Sequence, residues 1–98
     1  MVVLFRNRLR ADAGEEYETT AKRILELASA MPGFVSFKTF RAEDGERISV
    51  IEFESDAQVR AWREHPEHRR AQERGRAGFY EEYRVQVCDP IRDYGFRR

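Results

Sequence analysis

Hydrophobic and polar residues alternate near the start of the chain, and this period of two predicts a β-strand over residues 2–9. One face of the strand carries Val3, Phe5, Asn7 and Leu9, and the other carries Leu4, Arg6 and Arg8. Asn7 is thus a polar residue on the more apolar face. A buried amide needs hydrogen-bond partners, so Asn7 is either paired with the backbone or directed into a polar or ligand-filled cavity.

A helical period follows the first strand. The apolar residues that recur at this spacing are Tyr17, Ala21, Ile24, Leu25, Ala28 and Met31. Acidic residues after Asp12 suit the first turn of a helix, where the dipole favours negative charge, and Pro32-Gly33 ends the pattern. The segment is predicted to be an amphipathic helix that covers one face of a sheet.

Two further strands are predicted over residues 34–41 and 47–54, because both stretches are rich in aromatic and β-branched residues. The Asp44-Gly45 dipeptide between them is a turn signal and predicts an antiparallel hairpin. A fourth strand is predicted over residues 79–88. On this strand Tyr83, Val85 and Val87 alternate with Arg84, Gln86 and Cys88.

The segment between the hairpin and the last strand contains the only tryptophan and both histidines. Asp56 or Ser55 can cap a short helix that includes Trp62, and Pro66 separates it from a second helix over residues 67–74. His68, Gln72 and Arg76 are spaced four apart, so their side chains share one stripe. This stripe faces a site together with Trp62, or Trp62 is a core anchor beside solvated histidines and an ordinary charged helix surface.

The predicted order is β-α-β-β-α-β, an α+β ferredoxin-like arrangement in which helices cover one face of a four-stranded antiparallel sheet. The other face combines Leu4 with Arg6, Arg8 and Arg84, a mixture that suits packing against a second copy. We therefore predict a homodimer, with arginine–carboxylate pairs to Glu52 or Glu54 across the two sheets or along one of them. Residues 1–98 form a single domain, in which 1–88 are the core and the tail 89–98 lies over the partner subunit.

Composition narrows the functional classes. Lys+Arg and Asp+Glu both number 18, so no basic field indicates a nucleic-acid partner. The single cysteine, Cys88, excludes an internal disulfide framework and a multi-cysteine metal site. No apolar run approaches the ~18 residues that a membrane span needs, so we expect no membrane partner and a cytoplasmic location.

Several short stretches together carry a family likeness. They are Pro32-Gly33-Phe34, Ala61-Trp62-Arg63, the run 67–72, Gly75-Arg76, the run 79–85 and the run 92–95. In this succession the chain resembles the antibiotic biosynthesis monooxygenase family, whose members are small dimeric ferredoxin-like α+β-barrel proteins. The resemblance implies oxidation of a small aromatic or quinol-like compound by dioxygen without a cofactor, in which a deprotonated, electron-rich phenol itself reduces dioxygen.

The resemblance also implies a site between sheet and helices. Its expected apolar lining is Phe5, Phe37, Phe53 and Trp62, and its expected polar groups are Asn7, His68, Gln72 and Arg76. Asn7, Trp62, His68 and Arg76 would be catalytic, with His68 as the base. Asn7 and Arg76 would orient the substrate oxygens. No metal site is expected among these residues.

Two alternatives remain open from the sequence. In the haem-degrading branch of the family the iron-ligating histidine falls ten residues after the tryptophan, where this chain has Gln72. His68 could be offered instead, one turn earlier on the same stripe, which moves the ligand by about 6 Å. The other alternative is a non-catalytic dimeric domain that binds a small apolar ligand, since a fold does not determine a function.

Overall fold

The computed structural model describes all 98 residues, and its elements follow the predicted order. They are β1 (Val2–Leu9), α1 (Gly14–Ala30), β2 (Phe34–Arg41), β3 (Arg47–Phe53), α2 (Asp56–Glu64), α3 (Pro66–Arg74), a π-helical turn (Gly75–Phe79) and β4 (Tyr80–Cys88). The strands form one antiparallel sheet in the order β2-β3-β1-β4. The prediction of an α+β ferredoxin-like fold is confirmed.

The break between α2 and α3 arises from local capping. Ser55, rather than Asp56, is the N-cap of α2, and its Oγ accepts a hydrogen bond from the Gln58 backbone N–H at 3.3 Å. His65 ends α2 and caps α3, where its Nδ1 accepts a hydrogen bond from the Glu67 N–H at 3.2 Å. Pro66 follows at the first helical position, where no N–H is needed. His65 therefore has a structural role, and only His68 remains available to a site.

The sheet has an inner face, on which the helices pack, and an outer face. The core cluster joins α1 and α2 to inner-face residues and consists of Val3, Leu27, Ala28, Ile51, Phe53, Val59 and Trp62. The strand pairing places Arg47, Asn7 and Tyr83 side by side across three strands of the inner face, and we call this set the Asn7 row. The predicted division of β1 into an apolar inner face and a mixed outer face is confirmed.

Two irregularities in the sheet bring additional aromatic rings to the inner face. The β2–β3 register shifts between Phe34 and Ser36, so Phe34 and Phe37 face the same side although they are three residues apart. The β1–β4 register shifts in the same way between Arg8 and Leu9, which aligns Tyr80 with Tyr83. Strict alternation would have placed one ring of each pair on the outer face.

Two of the three outer-face arginines, Arg6 and Arg8, are paired within the chain, with carboxylates other than the predicted ones. Arg6 bonds to Glu46 at 3.2 Å, and Arg8 bonds to Asp44 at 2.8 Å and to Glu82 at 3.2 Å. Within the chain neither Glu52 nor Glu54 pairs with Arg6 or Arg8, because the hairpin turn and β4 bring nearer carboxylates to these guanidinium groups. Pairing with Glu52 or Glu54 across two copies stays a prediction. Asp44 in turn has a pKa below its usual range, chiefly because Arg8 donates a hydrogen bond to it.

The tail after β4 forms no helix or strand, and its large apolar side chains are exposed. Ile91, Tyr94 and Phe96 are between 83% and 89% exposed in the single chain. None of the helices is both long enough and apolar enough to cross a membrane.

Candidate active site

A cavity of about 390 Å³ lies between the inner face of the sheet and the helices. Its volume is within the range of ~300–1,000 Å³ that is typical of small-molecule sites. Six of the eight residues predicted for the site line it: Phe5, Phe37, Trp62, His68, Gln72 and Arg76. The predicted stripe on the second helix therefore does face the space beside Trp62.

Asn7 and Phe53, the other two predicted residues, are not among the lining residues. Phe53 is fully buried behind Trp62, with ring centroids 5.5 Å apart, so it supports the indole from the core. Asn7 is only 4% exposed, and its Oδ1 has no hydrogen-bond partner. It lies between Arg47 and Tyr83, both of which do line the cavity. The first strand thus presents Asn7 toward the helices but below the cavity wall.

Trp62 and His68 form one wall of the cavity. Their ring centroids are 4.5 Å apart and the planes meet at 72°, an edge-to-face contact. The Trp62 Nε1 and the His68 Nδ1 are both buried without a hydrogen-bond partner. Buried polar atoms are usually paired, so two unpartnered atoms on residues that line the cavity make this wall a candidate binding surface.

The position of His68 makes it neutral at physiological pH. Burial, together with the positive charges of Arg63 and His65, lowers the pKa of His68 to about 4. The uncharged imidazole keeps a lone pair and can accept a proton or a hydrogen bond. An anion formed beside it would raise its pKa again, because opposite charges favour the protonated ring.

An aromatic cluster, of which sequence reasoning assigned only Phe5 to the site, forms a second wall. It contains Phe5, Tyr17, Phe79, Tyr80 and Tyr83, and neighbouring centroids are 5.4–6.4 Å apart. All five residues line the cavity. Burial raises the pKa of the Tyr80 phenol, so this hydroxyl stays protonated.

Two guanidinium groups accompany this aromatic cluster. Arg76 Nη1 donates a hydrogen bond to the Tyr83 hydroxyl at 3.2 Å, and Arg47 lies over the Tyr17 ring at 5.4 Å from its centroid. A hydroxyl pair, Thr39 and Ser49, adds polar lining at 2.8 Å separation. This part of the cavity can therefore hold oxygen-rich groups beside aromatic rings.

Some of these missed residues carried a usable signal in the sequence. Arg47 and Ser49 lie four and two residues before Ile51 on β3, so strand alternation alone assigns them to the same inner face. Tyr17 already belonged to the predicted helical stripe. Tyr80 carried no such signal, since only the register shift beside it turns its ring inward.

Comparison with known proteins supports one family. Residues 1–74 match the family model described as "Antibiotic biosynthesis monooxygenase". Among curated proteins, the chain is 41% identical over 72 residues to the uncharacterized protein YqjZ of Bacillus subtilis (strain 168). That match covers 74% of this chain and 63% of the relative, so the chain spans somewhat less than two thirds of the relative's length.

Solved structures share the fold at low sequence identity. Rv0793 from Mycobacterium tuberculosis aligns with a TM-score of 0.82 and 18% identity, covering 96% of this chain and 97% of that one. A crystal structure of an antibiotic biosynthesis monooxygenase aligns with a TM-score of 0.78 and 14% identity, covering 94% of this chain and 100% of that one. PA3566 from Pseudomonas aeruginosa aligns with a TM-score of 0.74 and 10% identity, covering 93% of each chain. With the family model matching three quarters of its length, the chain belongs to the antibiotic biosynthesis monooxygenase family.

Proposed function

We propose that this protein is a cofactor-independent monooxygenase that oxidises a small aromatic or quinol-like compound in the cavity beside Trp62. The observation that carries the proposal is the pairing of an aromatic cavity of about 390 Å³ with two buried, unpartnered polar atoms, Trp62 Nε1 and His68 Nδ1. Aromatic walls suit a flat apolar substrate, and the two polar atoms can fix an oxygen atom on it.

The chemistry begins with proton removal. Neutral His68 accepts the proton of an acidic phenol or ring C–H group, and the resulting substrate anion is electron-rich enough to reduce dioxygen. For an anthrone-type CH₂ carbon, the substrate carbanion supplies two electrons to dioxygen as a C–O bond forms. Loss of water from the resulting hydroperoxide leaves a ketone, so one oxygen atom enters the substrate and the other leaves in water.

The surroundings of His68 favour this anion. The charge of Arg63, which disfavours a protonated His68, stabilises negative charge on the substrate. The Trp62 N–H can donate a hydrogen bond to the developing oxyanion, as preorganised donors do in other active sites. Asn7 does not line the cavity and has no contact with the substrate in this proposal, and Arg76 orients an oxygen at the far end.

Oxygen consumption with a panel of hydroquinones and anthrones tests the proposal. His68→Ala should lower the rate by about 10²-fold or more, the usual contribution of a general base. Trp62→Phe should lower it through loss of the N–H donor. Arg69→Ala, on the exposed side of α3 and outside the cavity, is the matched control and should keep the wild-type rate.

Equal rates in wild type and both cavity variants would remove the proposed site. The alternative is a non-catalytic domain that binds a small apolar ligand, and the same unpaired atoms of Trp62 and His68 support it. Saturable quenching of Trp62 fluorescence by a quinol, with no oxygen consumed above the buffer rate for any compound, would favour this alternative.

The proposal includes a homodimer formed through the outer face. Phe40 is 49% exposed there, beside Leu4, Ile48 and Val50, and the apolar residues of the tail are exposed as well. Val50→Glu should give a single chain in sedimentation, and truncation after residue 88 should weaken the dimer. Ala57→Glu, an exposed site on the helical layer, is the control. A monomeric wild-type protein would contradict this part of the proposal.

A further inference from the structure

The charged residues that line the cavity all carry the same sign. They are Lys22, Arg47, Arg63 and Arg76, and no Asp or Glu side chain lines the cavity. The whole chain has 18 basic and 18 acidic residues, so this bias does not follow from composition. The cavity is positive in a protein with no net charge.

None of these four cations forms a salt bridge, although salt bridges are frequent elsewhere in the chain. The arginines that do pair with carboxylates are Arg6, Arg8, Arg10, Arg23, Arg60 and Arg74. None of these lines the cavity. The guanidinium groups at the cavity therefore keep donors free for an anion that is not part of the chain.

Arg47 and Arg76 belong to the same end of the cavity. Arg47 is a member of the Asn7 row, and Arg76 bonds to Tyr83, the other end of that row. Two neutral tyrosines position these arginines: Arg47 lies over the Tyr17 ring, and Arg76 donates its hydrogen bond to Tyr83. Three strands about 4.8 Å apart separate the ends of the row by about 10 Å, so two long side chains can converge on one small anion.

This end is well separated from the His68 wall. His68 and Arg76 are eight positions apart in the chain, which corresponds to about 12 Å at the α-helical rise of 1.5 Å per residue. A single phenol ring is too short to contact both positions. A compound of two or three fused rings, with its acidic group at one end and its oxidised ring at the other, has a suitable length.

We infer that the substrate is an aromatic carboxylate, a fused-ring phenol or quinol whose carboxylate binds between Arg47 and Arg76 while its oxidised ring lies against Trp62 and His68. This inference rests on the proposed function for the oxidised ring, but the anion site rests on the unpaired cations alone. Arg fits a carboxylate through two parallel N–H donors, which gives orientation as well as affinity. The anchored end would leave the opposite end of the ring system at the base.

A binding experiment with redox-inert probes tests the anion site without turnover. Naphthalene-2-carboxylate and its neutral isostere naphthalene-2-carboxamide are titrated against the wild-type protein, and Trp62 fluorescence and calorimetry report binding. We expect the carboxylate to bind at least about 10-fold more tightly, and we expect salt to reduce this preference. Equal affinity of the two probes, or binding of neither, would overturn the inference.

Variants test which residues cause the preference for the carboxylate probe over the carboxamide. Arg47→Gln and Arg76→Gln should each reduce the preference toward unity while carboxamide affinity stays within about two-fold. Arg84→Gln, an exposed outer-face arginine, should leave both affinities unchanged. Retention of the full preference in both cavity variants would overturn the assignment. Carboxylate preference without oxygen consumption would defeat the proposed function alone, and oxygen consumption without the preference would defeat this inference alone.

Discussion

The two faces of the sheet satisfy their polar groups in different ways. On the outer face Arg6 and Arg8 find carboxylates within the chain, at 2.8–3.2 Å. On the inner side Asn7 Oδ1, Trp62 Nε1 and His68 Nδ1 are buried without partners. An unpaired buried polar group costs about 1–3 kcal/mol. The fold thus concentrates unsatisfied groups on the helix-covered side of the sheet, and two of the three, those of Trp62 and His68, belong to residues that line the cavity.

The largest expected effect comes from the residue that joins this cavity to the core. Trp62 is 3% exposed and packs between Phe53 and His68. Trp62→Ala should lower the free energy of unfolding by about 3–5 kcal/mol, the usual cost of truncating a large buried aromatic residue. Urea denaturation measures this. Trp62→Phe should cost markedly less, and a loss below about 1 kcal/mol in Trp62→Ala would show that the indole is not a core anchor.

The buried imidazole makes stability depend on pH. The pKa of His68 is about 4 in the folded chain against an ordinary value of 6.5, so the unfolded chain binds the extra proton between these pH values. The stabilisation from neutral His68 is fully present above pH 6.5 and is lost as the pH falls toward 4. The loss should approach about 3 kcal/mol, since each pKa unit is worth about 1.4 kcal/mol.

Urea titrations at pH 7.5 and 4.5 measure this loss, and His68→Gln separates it from the titration of carboxylates. Glutamine is polar but does not ionise in this range, so the variant should retain only the background pH dependence of the other groups. A variant whose stability falls as steeply as that of the wild type would show that His68 is not the source.

Two glycines in the π-helical turn test how tightly the aromatic wall is packed. A Cβ on Gly75 would lie 2.7 Å from Cε2 of Tyr80, whereas a Cβ on Gly78 would meet nothing within 4 Å. Gly75→Ala should destabilise the chain by about 1–3 kcal/mol through overpacking. Gly78→Ala should be neutral or slightly stabilising. Equal midpoints in thermal unfolding for the two variants would contradict a fixed position of the Tyr80 ring.

The sequence predicted the elements of this fold because its period-two and helical patterns are regular. It placed Trp62 and His68 together for the same reason, since helical spacing and Pro66 define one stripe. It missed Tyr80 because a register shift there turns to the inner face a side chain that strict alternation would place on the outer face. It missed the π-helical turn because Gly75 and Gly78 indicate only that a helix ends. It misplaced Asn7 because alternation specifies a face of the sheet and not the depth of a side chain below the cavity wall.

The smallest effect is expected on the outer face, for the pair Arg6–Glu46, whose side chains are 41% and 30% exposed. A double-mutant cycle with Arg6→Ala and Glu46→Ala, measured at a dilution where sedimentation shows a single chain, should give a coupling energy of about 0.2–1 kcal/mol. Salt should weaken this coupling, because both groups reach solvent. A coupling above about 2 kcal/mol that resists salt would contradict the contrast drawn between the faces. It would mean that the outer-face arginines, like those at the cavity, depend strongly on one specific anion.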